Sequence, residues 1–592
     1  MRSAGTVDVR GSVSATRARY PAVRELRAAG PLARSSSVLT RPDFVGVQVQ
    51  HRSSGCARRV ARHAAACPAA TAAPSLPVRP AEQAAPVDSK LDWMDQWFPI
   101  AFTRDIPDKA PYAFRLLDQP IVIWRDGEGR YRCLRDACPH RLVPLSDGRI
   151  TPDGNEIQCA YHGWQFEGCG ACTLMPQGGD PTAARACATA YCCAERQGLV
   201  WVKLKPAPAD GTEPDTSGIH TLPELDDPDW LGFGDMWRDI PYDWATLIEN
   251  VVDAGHVPFT HHGSVSKRQS SGNFDDMRIT ERGEYGFKGI WPTGPRKGGL
   301  GAQLTLFQGP VLMRHTIDAY DTKGFANITS VYGVPVAPGR CRAIVRQPIR
   351  FKNKLLPLLF KLSPQFLGHL GNNSVLDEDV IFLHMQEEEA ARRGMGVKPA
   401  GQVFYMPAAS DAYVMGFRSW LSSVAGGGPW GPMDQSYLAR AGPRRSEAQL
   451  LDHFHSHTEK CSICQKALRN VRIARTAAAV VAVGAAFLGA AALLAAWTAA
   501  GAPLPAWQAL TADAAAWTAA GAPLPAWQAL TADAAAGAAA TAAPRLTVLA
   551  RGCAVVAVLA GLVWRWCQQT VPRFYRGERP FARNRVPGEF TP

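Results

Sequence analysis

DACPHRLVPLS at residues 136–146, followed by CAYHGWQF at 159–166, sets two half-motifs of one kind in succession. Each offers one thiol and one imidazole: Cys138 with His140 and, after 18 intervening residues, Cys159 with His162. Two thiolates can hold one iron and two imidazoles a second, giving a two-iron, two-sulfur cluster. Exchanging two anionic thiolates for neutral imidazoles raises the reduction potential above that of an all-Cys cluster, and such a cluster can accept electrons from a ferredoxin. Zinc also accepts two Cys and two His. The tight CxH half weighs against zinc, as does the Gly163–Trp164 pair, which reads as a turn with a bulky shield. Cys133, Cys169 and Cys172 lie nearby but are not needed, because the four-ligand set is complete without them.

Outward from the motif, short apolar runs alternate with turn signals: FRLLD, IVIWRD before Gly127, YRCL, the Gly-rich GCGAC and GLVWVKL. Residues 90–205 are therefore expected to form a small all-β domain. The Pro-, Gly- and Asp-rich stretch 206–218 reads as a linker. Residues 219–470 are expected to form a second domain. Strand-like runs at 303–308, 311–317, 326–334 and 343–349, with helical spacing around 242–252 and 375–393, predict an antiparallel sheet flanked by helices. The fold class is thus α+β.

The helical segment near Tyr242 runs into ENVVDAGHVPFTHH, where Asn250, Asp253 and His256 recur every third residue and are expected to share one helix face. Pro258 would break the helix and let His261 return toward His256. Two imidazoles and a carboxylate on one face of an iron leave positions open for oxygen and substrate. Asp253 is placed to bridge rather than to ligate. The third ligand is expected to be Asp379 in VLDEDVIFLHMQEEE, with Asp377 and Glu378 as competitors. His262 and His384 are expected to be incidental or to lie behind the ligands.

The formal charge is +12, but residues 1–80 hold 13 of the 64 Lys and Arg and only three of the 52 acids. The remainder, 51 basic against 49 acidic, is nearly neutral, which removes the case for nucleic-acid binding. An Arg-, Ala- and Ser-rich leader without an apolar core, 1–85, reads as an organelle transit peptide. Eight of the fifteen Cys fall between Cys133 and Cys193, a placement unlike a secreted disulfide framework. Cys461 and Cys464 form a CxxC that can make a reversible disulfide. Residues 476–566 read as a membrane anchor, with candidate spans at 477–497 and 546–564, and 567–592 as a basic tail. Arg469, Arg472 and Arg475 before the first span and Arg565, Arg573 and Arg576 after the second would put both ends of a hairpin on one side. Between the spans WTAAGAPLPAWQALTADAAA occurs twice without change, at 497–516 and 517–536; it reads as a recent duplication or an assembly artefact rather than a solenoid.

The two metal motifs, in this order, resemble those of the Rieske non-heme oxygenases. LDWMDQWFPI, ACPHRLVPLSDGRI, CAYHGWQFEG, LIENVVDAGHVPFTHH, FYMPAASDAYVMGFRSWL and HSHTEKCSICQKAL resemble the plastid branch. That branch contains pheophorbide a oxygenase, the Rieske subunit of the inner-envelope translocon, the protochlorophyllide-dependent translocon component and chlorophyllide a oxygenase. The resemblance implies a Rieske all-β domain, a helix-grip catalytic domain and C-terminal transmembrane helices. It implies cluster ligands Cys138, His140, Cys159 and His162, and iron ligands His256, His261 and Asp379. It further implies O2 and ferredoxin as co-reactants and a homotrimer in which Asp253 bridges one subunit's cluster to the next subunit's iron. The implied location is a chloroplast membrane, with the catalytic domain facing the stroma. Cys461 and Cys464 match a CxxC found in the first three relatives, where a plastid thioredoxin would be the partner. Ring opening of pheophorbide a is the leading reaction. Its rivals are hydroxylation of chlorophyllide a, protochlorophyllide a or a phyllobilin, and a redox-sensing role in protein import.

Overall fold

The computed structural model describes residues 90–208, 212–499 and 544–578. The Arg-rich leader, the end of the basic tail and all but the first three residues of the tandem repeat lie outside the described residues.

The first β region is a six-stranded antiparallel sheet in the order β1-β10-β9-β4-β3-β2. Its strands are β1 (Phe98–Phe102), β2 (Tyr112–Leu116), β3 (Gln119–Arg125), β4 (Tyr131–Arg135), β9 (Ala190–Arg196) and β10 (Leu199–Pro206). The run IVIW in β3 is apolar at every position because both sheet faces are covered. Ile121 and Ile123 point into a core shared with the second sheet, while Val122 and Trp124 point into a smaller lobe, and all four are fully buried. That lobe is a four-stranded sheet inserted between β4 and β9, built from β5 (Arg149–Ile150), β6 (Glu156–Gln158), β7 (Gln165–Glu167) and β8 (Cys172–Leu174).

The second sheet has seven antiparallel strands in the order β11-β17-β16-β15-β14-β13-β12. They are β11 (Leu231–Ile240), β12 (Arg278–Gly283), β13 (Gly286–Trp291), β14 (Gln303–Gln308), β15 (Leu312–Ala319), β16 (Phe325–Ala337) and β17 (Arg340–Phe351). The helix Trp244–Val252 packs on its β15–β17 strands, burying Trp244, Leu247, Ile248 and Val252 completely. Each such side chain contributes about 1.5–3 kcal/mol of burial. The 28-residue helix Gln365–Arg392 packs against β11. Arg342, on β17 and 1% exposed, ties the two sheets together. It donates to Ile100 O (2.8 Å), to the Tyr112 hydroxyl (2.9 Å) and to Asp239 (2.7 Å).

Two further helices, Ser462–Ala499 and Pro544–Thr570, are long and apolar enough to cross a membrane. They lie side by side and antiparallel along a seam of small residues. Ala478, Ala485 and Ala492 recur every seventh residue on the first, opposite Ala550, Ala560 and Cys567 on the second. At Gly489 a Cβ would stand only 3.2 Å from Cys553 Cβ, the close approach that small-residue helix pairs exploit. The first of these helices begins 14 residues before the expected anchor. Its start is capped from the first β region, where Asp105 Oδ1 accepts from Ser462 N and Oγ, both at 2.8 Å.

Candidate metal centres and active site

The two half-motifs fold as matching loops at the tip of the small lobe. Cys138 N donates to Val143 O (2.8 Å) and Leu142 N to Cys138 O (2.8 Å); Cys159 N donates to Trp164 O (2.8 Å) and Gly163 N to Cys159 O (3.1 Å). The fourth residue after each Cys is left-handed, Leu142 at φ 60 and Gly163 at φ 75. Gly163 takes this conformation freely, whereas Leu142 does so at a cost of roughly 1–2 kcal/mol. Cys138 and Cys159 are buried side by side, and burial pushes the Cys138 thiol up to about 11. The imidazoles of His140 and His162 lie edge to face, with ring centroids 4.5 Å apart, and Trp164 stacks on His140 at 4.8 Å. His140 Nδ1 is buried without a hydrogen-bond partner, an arrangement that costs about 1–3 kcal/mol unless a metal takes the lone pair. Paired thiols within and an orphaned imidazole nitrogen beside them fit a cluster whose imidazole edge faces outward.

At the second motif the structure departs from a single helix. Asp253 ends the helix at Val252 in extended conformation (φ −77, ψ 111), and its Oδ1 accepts from Gly255 N at 2.7 Å. Asp253 and His256 therefore do not share a helix face with Asn250. His256 instead caps a new short helix, Val257–Thr260, in which Pro258 occupies the first turn rather than terminating anything. His261 closes that helix, so one turn separates the two imidazoles, with centroids 5.2 Å apart.

The opposing carboxylates come from the long helix Gln365–Arg392. Three successive residues on a helix point about 100° apart, so Asp377, Glu378 and Asp379 must face three different neighbours. Asp377 binds Arg238 (2.8 Å) and His453 (2.9 Å), and the Arg238 guanidinium, with His453, outweighs its burial and holds its carboxyl below the usual range. Glu378 meets His261 Nδ1 (2.8 Å) and Ser264 Oγ (2.7 Å). Asp379, itself buried, lies 3.3 Å from His261 Nε2 and 4.0 Å from His256 Nε2. Ligand atoms of His256, His261 and Asp379 all lie within 4.8 Å of one another. Burial opposes charge on His261, yet Asp379 and Glu378 outweigh it and raise the imidazole to about 9. The pocket calls for a cation. Asn250 Nδ2 approaches His256 Nε2 at 3.5 Å. His262 and His384 take up backbone contacts, accepting from Arg268 N (3.2 Å) and Arg445 N (3.1 Å) respectively.

Cys461 and Cys464 lie elsewhere, fully buried beside His369 and His457.

Residues 96–185 match the family model of the Rieske [2Fe-2S] domain, and 307–396 that of pheophorbide a oxygenase. The chain is 32% identical to the chloroplast protein TIC 55 of Arabidopsis thaliana, over 57% of this chain and 61% of that one. It is 31% identical to the chloroplast pheophorbide a oxygenase of Oryza sativa subsp. japonica, over 64% of this chain and 74% of that one. It belongs to the pheophorbide a oxygenase family of Rieske oxygenases. A flavonoid 8-hydroxylase of Ocimum basilicum, also a chloroplast protein, is 29% identical over 65% of this chain and 75% of its own length.

In this Rieske oxygenase a small cleft of ≈ 70 Å³, open to solvent, adjoins the second motif and is lined in part by Ala254, Val257, Pro258, Trp291, Gln303 and His315. His315 was not singled out by the sequence. Its Nε2 meets Val251 O (2.9 Å) and its Nδ1 meets Thr305 Oγ1 (2.9 Å), which bolts the end of the helix Trp244–Val252 to the sheet. Burial pushes the His315 imidazole down to about 4. A histidine whose folded pKa lies below its unfolded value of about 6.5 contributes stability that is whole above that pH and lost as pH falls toward 4. Thermal midpoints should therefore drop over pH 6.5 to 4 more steeply in the parent protein than in His315→Gln.

Proposed function

We propose that this family member is a ferredoxin-dependent monooxygenase of a chlorophyll-derived tetrapyrrole, with opening of the pheophorbide a macrocycle as the leading reaction. The observation that carries the reading is the convergence of His256 Nε2, His261 Nε2 and Asp379 on one point beside an open cleft, in a chain that also bears the paired cluster loops. Cys138, His140, Cys159 and His162 would hold the cluster, and His256, His261 and Asp379 the mononuclear iron. Bound there, the two groups supply single electrons and the activation of O2. In monooxygenase balance, O2, two electrons and two protons place one oxygen atom in product and one in water.

The chain's own residues prepare that chemistry. Glu378 takes the Nδ1 proton of His261 in a hydrogen bond, which fixes the tautomer and aims Nε2 at the iron position. Asp253 Oδ2 lies 3.4 Å from His256 Nδ1 with its side chain 30% exposed. It can thus pass a contact outward to the cluster of a neighbouring subunit in a trimer. The helix hairpin would anchor the protein in a chloroplast membrane, with Arg469, Arg472, Arg475, Arg573 and Arg576 and the catalytic half together on the stromal side.

The test is turnover. Purified protein with reduced ferredoxin and O2 is offered pheophorbide a, chlorophyllide a, protochlorophyllide a, a phyllobilin and a flavone, and products are identified by mass with ¹⁸O2. A ring-opened product carrying one ¹⁸O from pheophorbide a is expected. Oxygenation of another tetrapyrrole alone would shift the substrate, oxygenation of the flavone alone would overturn the tetrapyrrole reading, and no product from any would favour the redox-sensing role.

A further inference from the structure

HSHTEKCSICQKAL does more than supply a CxxC. The residues 454–458 form a π-turn that carries His457, and the first apolar helix starts at Ser462 and carries Cys464. His369 reaches them from the long helix Gln365–Arg392. All four side chains are at most 1% exposed. His369 Nδ1 and His457 Nε2 are 3.2 Å apart. Cys464 Sγ stands 3.3 Å from His457 Nε2 and 3.4 Å from His369 Nδ1, and Cys461 Sγ stands 3.6 Å from His369 Nδ1.

These separations are edges of one tetrahedron. With zinc–sulfur bonds of about 2.3 Å and zinc–nitrogen bonds of about 2.0–2.1 Å, tetrahedral angles put nitrogen pairs about 3.3 Å apart and nitrogen–sulfur pairs about 3.6 Å apart. A two-iron cluster would place thiolates and imidazoles on different metals, and so could not bring Cys464 Sγ this close to both imidazoles. A thiol switch explains neither why two imidazole nitrogens turn onto the sulfurs nor how a reductant would reach them. Phe574, fully buried, closes the site from the chain returning out of the second apolar helix, together with Leu370 and Leu468. Two thiols and two imidazoles are costly to bury with only one another as partners.

The geometry points to a structural zinc site formed by His369, His457, Cys461 and Cys464, which clamps the first membrane helix to the helix that carries Asp379. His369 precedes Asp379 by ten residues, about 15 Å along a rigid helix, so the clamp fixes where the catalytic carboxylate stands relative to the anchor. The ion would be a positioning element and would take no part in turnover. The assignment does not depend on which substrate the enzyme oxidises.

The experiment uses the full-length protein in detergent, purified without a histidine tag from zinc-supplemented cells. About one zinc per chain is expected beside the iron, and zinc-edge X-ray absorption should show two sulfur neighbours at about 2.3 Å and two nitrogens at about 2.0 Å. The double variant Cys461→Ser/Cys464→Ser should lose the zinc and keep its iron. Should that variant fail to fold, the parent protein still decides: native N-ethylmaleimide labelling of Cys461 and Cys464 should be at least about tenfold slower before zinc extraction than after it. Zinc well below one per chain, iron in its place, a zinc shell without sulfur, or a Cys461–Cys464 disulfide in the protein as isolated would each overturn the assignment.

Discussion

Asp379→Ala is expected to abolish product formation, bringing turnover down to that of a protein-free control, while the cluster's visible spectrum stays. Asp379 is the carboxylate whose oxygens lie at 3.3 and 4.0 Å from the two imidazole nitrogens, so its loss leaves a two-histidine site too weak to keep iron. Iron should fall from about three to about two atoms per chain, the remaining pair being the cluster. His256→Ala should behave alike. Glu378→Gln should differ in kind: it keeps all direct ligands and loses only the hold on His261 Nδ1, so iron affinity should drop about 10–100-fold and excess iron should restore turnover. Iron analysis, optical spectra and turnover on the same preparations separate these outcomes. Full activity in Asp379→Ala would remove this residue from the site.

Two residues earlier, Asp377→Ala should do the reverse. Asp377 is 2% exposed and answers both Arg238, 1% exposed, and His453, 2% exposed. Removing one partner of a buried ion pair leaves the other uncompensated, at a cost of about 3–5 kcal/mol. For a protein of ordinary marginal stability that is a large share of the total. A correspondingly lower denaturation midpoint is expected, with iron content per folded chain unchanged. A variant as stable as the parent would mean that water reaches Arg238 and His453 after all.

The contrast between Asp377 and Asp379 shows what the sequence conveyed and what it withheld. DED marked the turn of the long helix that opposes the imidazoles, but composition could not say which of the three carboxylates faces both Nε2 atoms, because that depends on how the long helix is rotated against β11. The paired loops that carry Cys138, His140, Cys159 and His162 were legible for the opposite reason: they are local, and a CxH or CxxH half closes on itself within six residues. The run at Gln303–Gln308 was readable as a strand because one face is buried and the other is not. The helix near His256 was misread because every-third spacing continued past Val252, while the Asp253 side chain, which ends the helix by binding Gly255 N, gave no periodic signal. His369 was invisible as a partner of Cys461 and Cys464, lying about ninety residues upstream in the first turns of the long helix, ahead of the stretch from 375 that its spacing marked.

The helix Gln365–Arg392 holds His369, Asp377, Glu378 and Asp379 to separate tasks by rotation and rise alone, which constrains how its length can change in descent. Deleting or inserting one residue between 370 and 376 would turn one end relative to the other by about 100° and shift it by about 1.5 Å, exchanging the carboxylate that faces the two imidazoles for an ion-paired one. Adding seven residues would nearly restore the direction but move the two ends apart by about 10 Å.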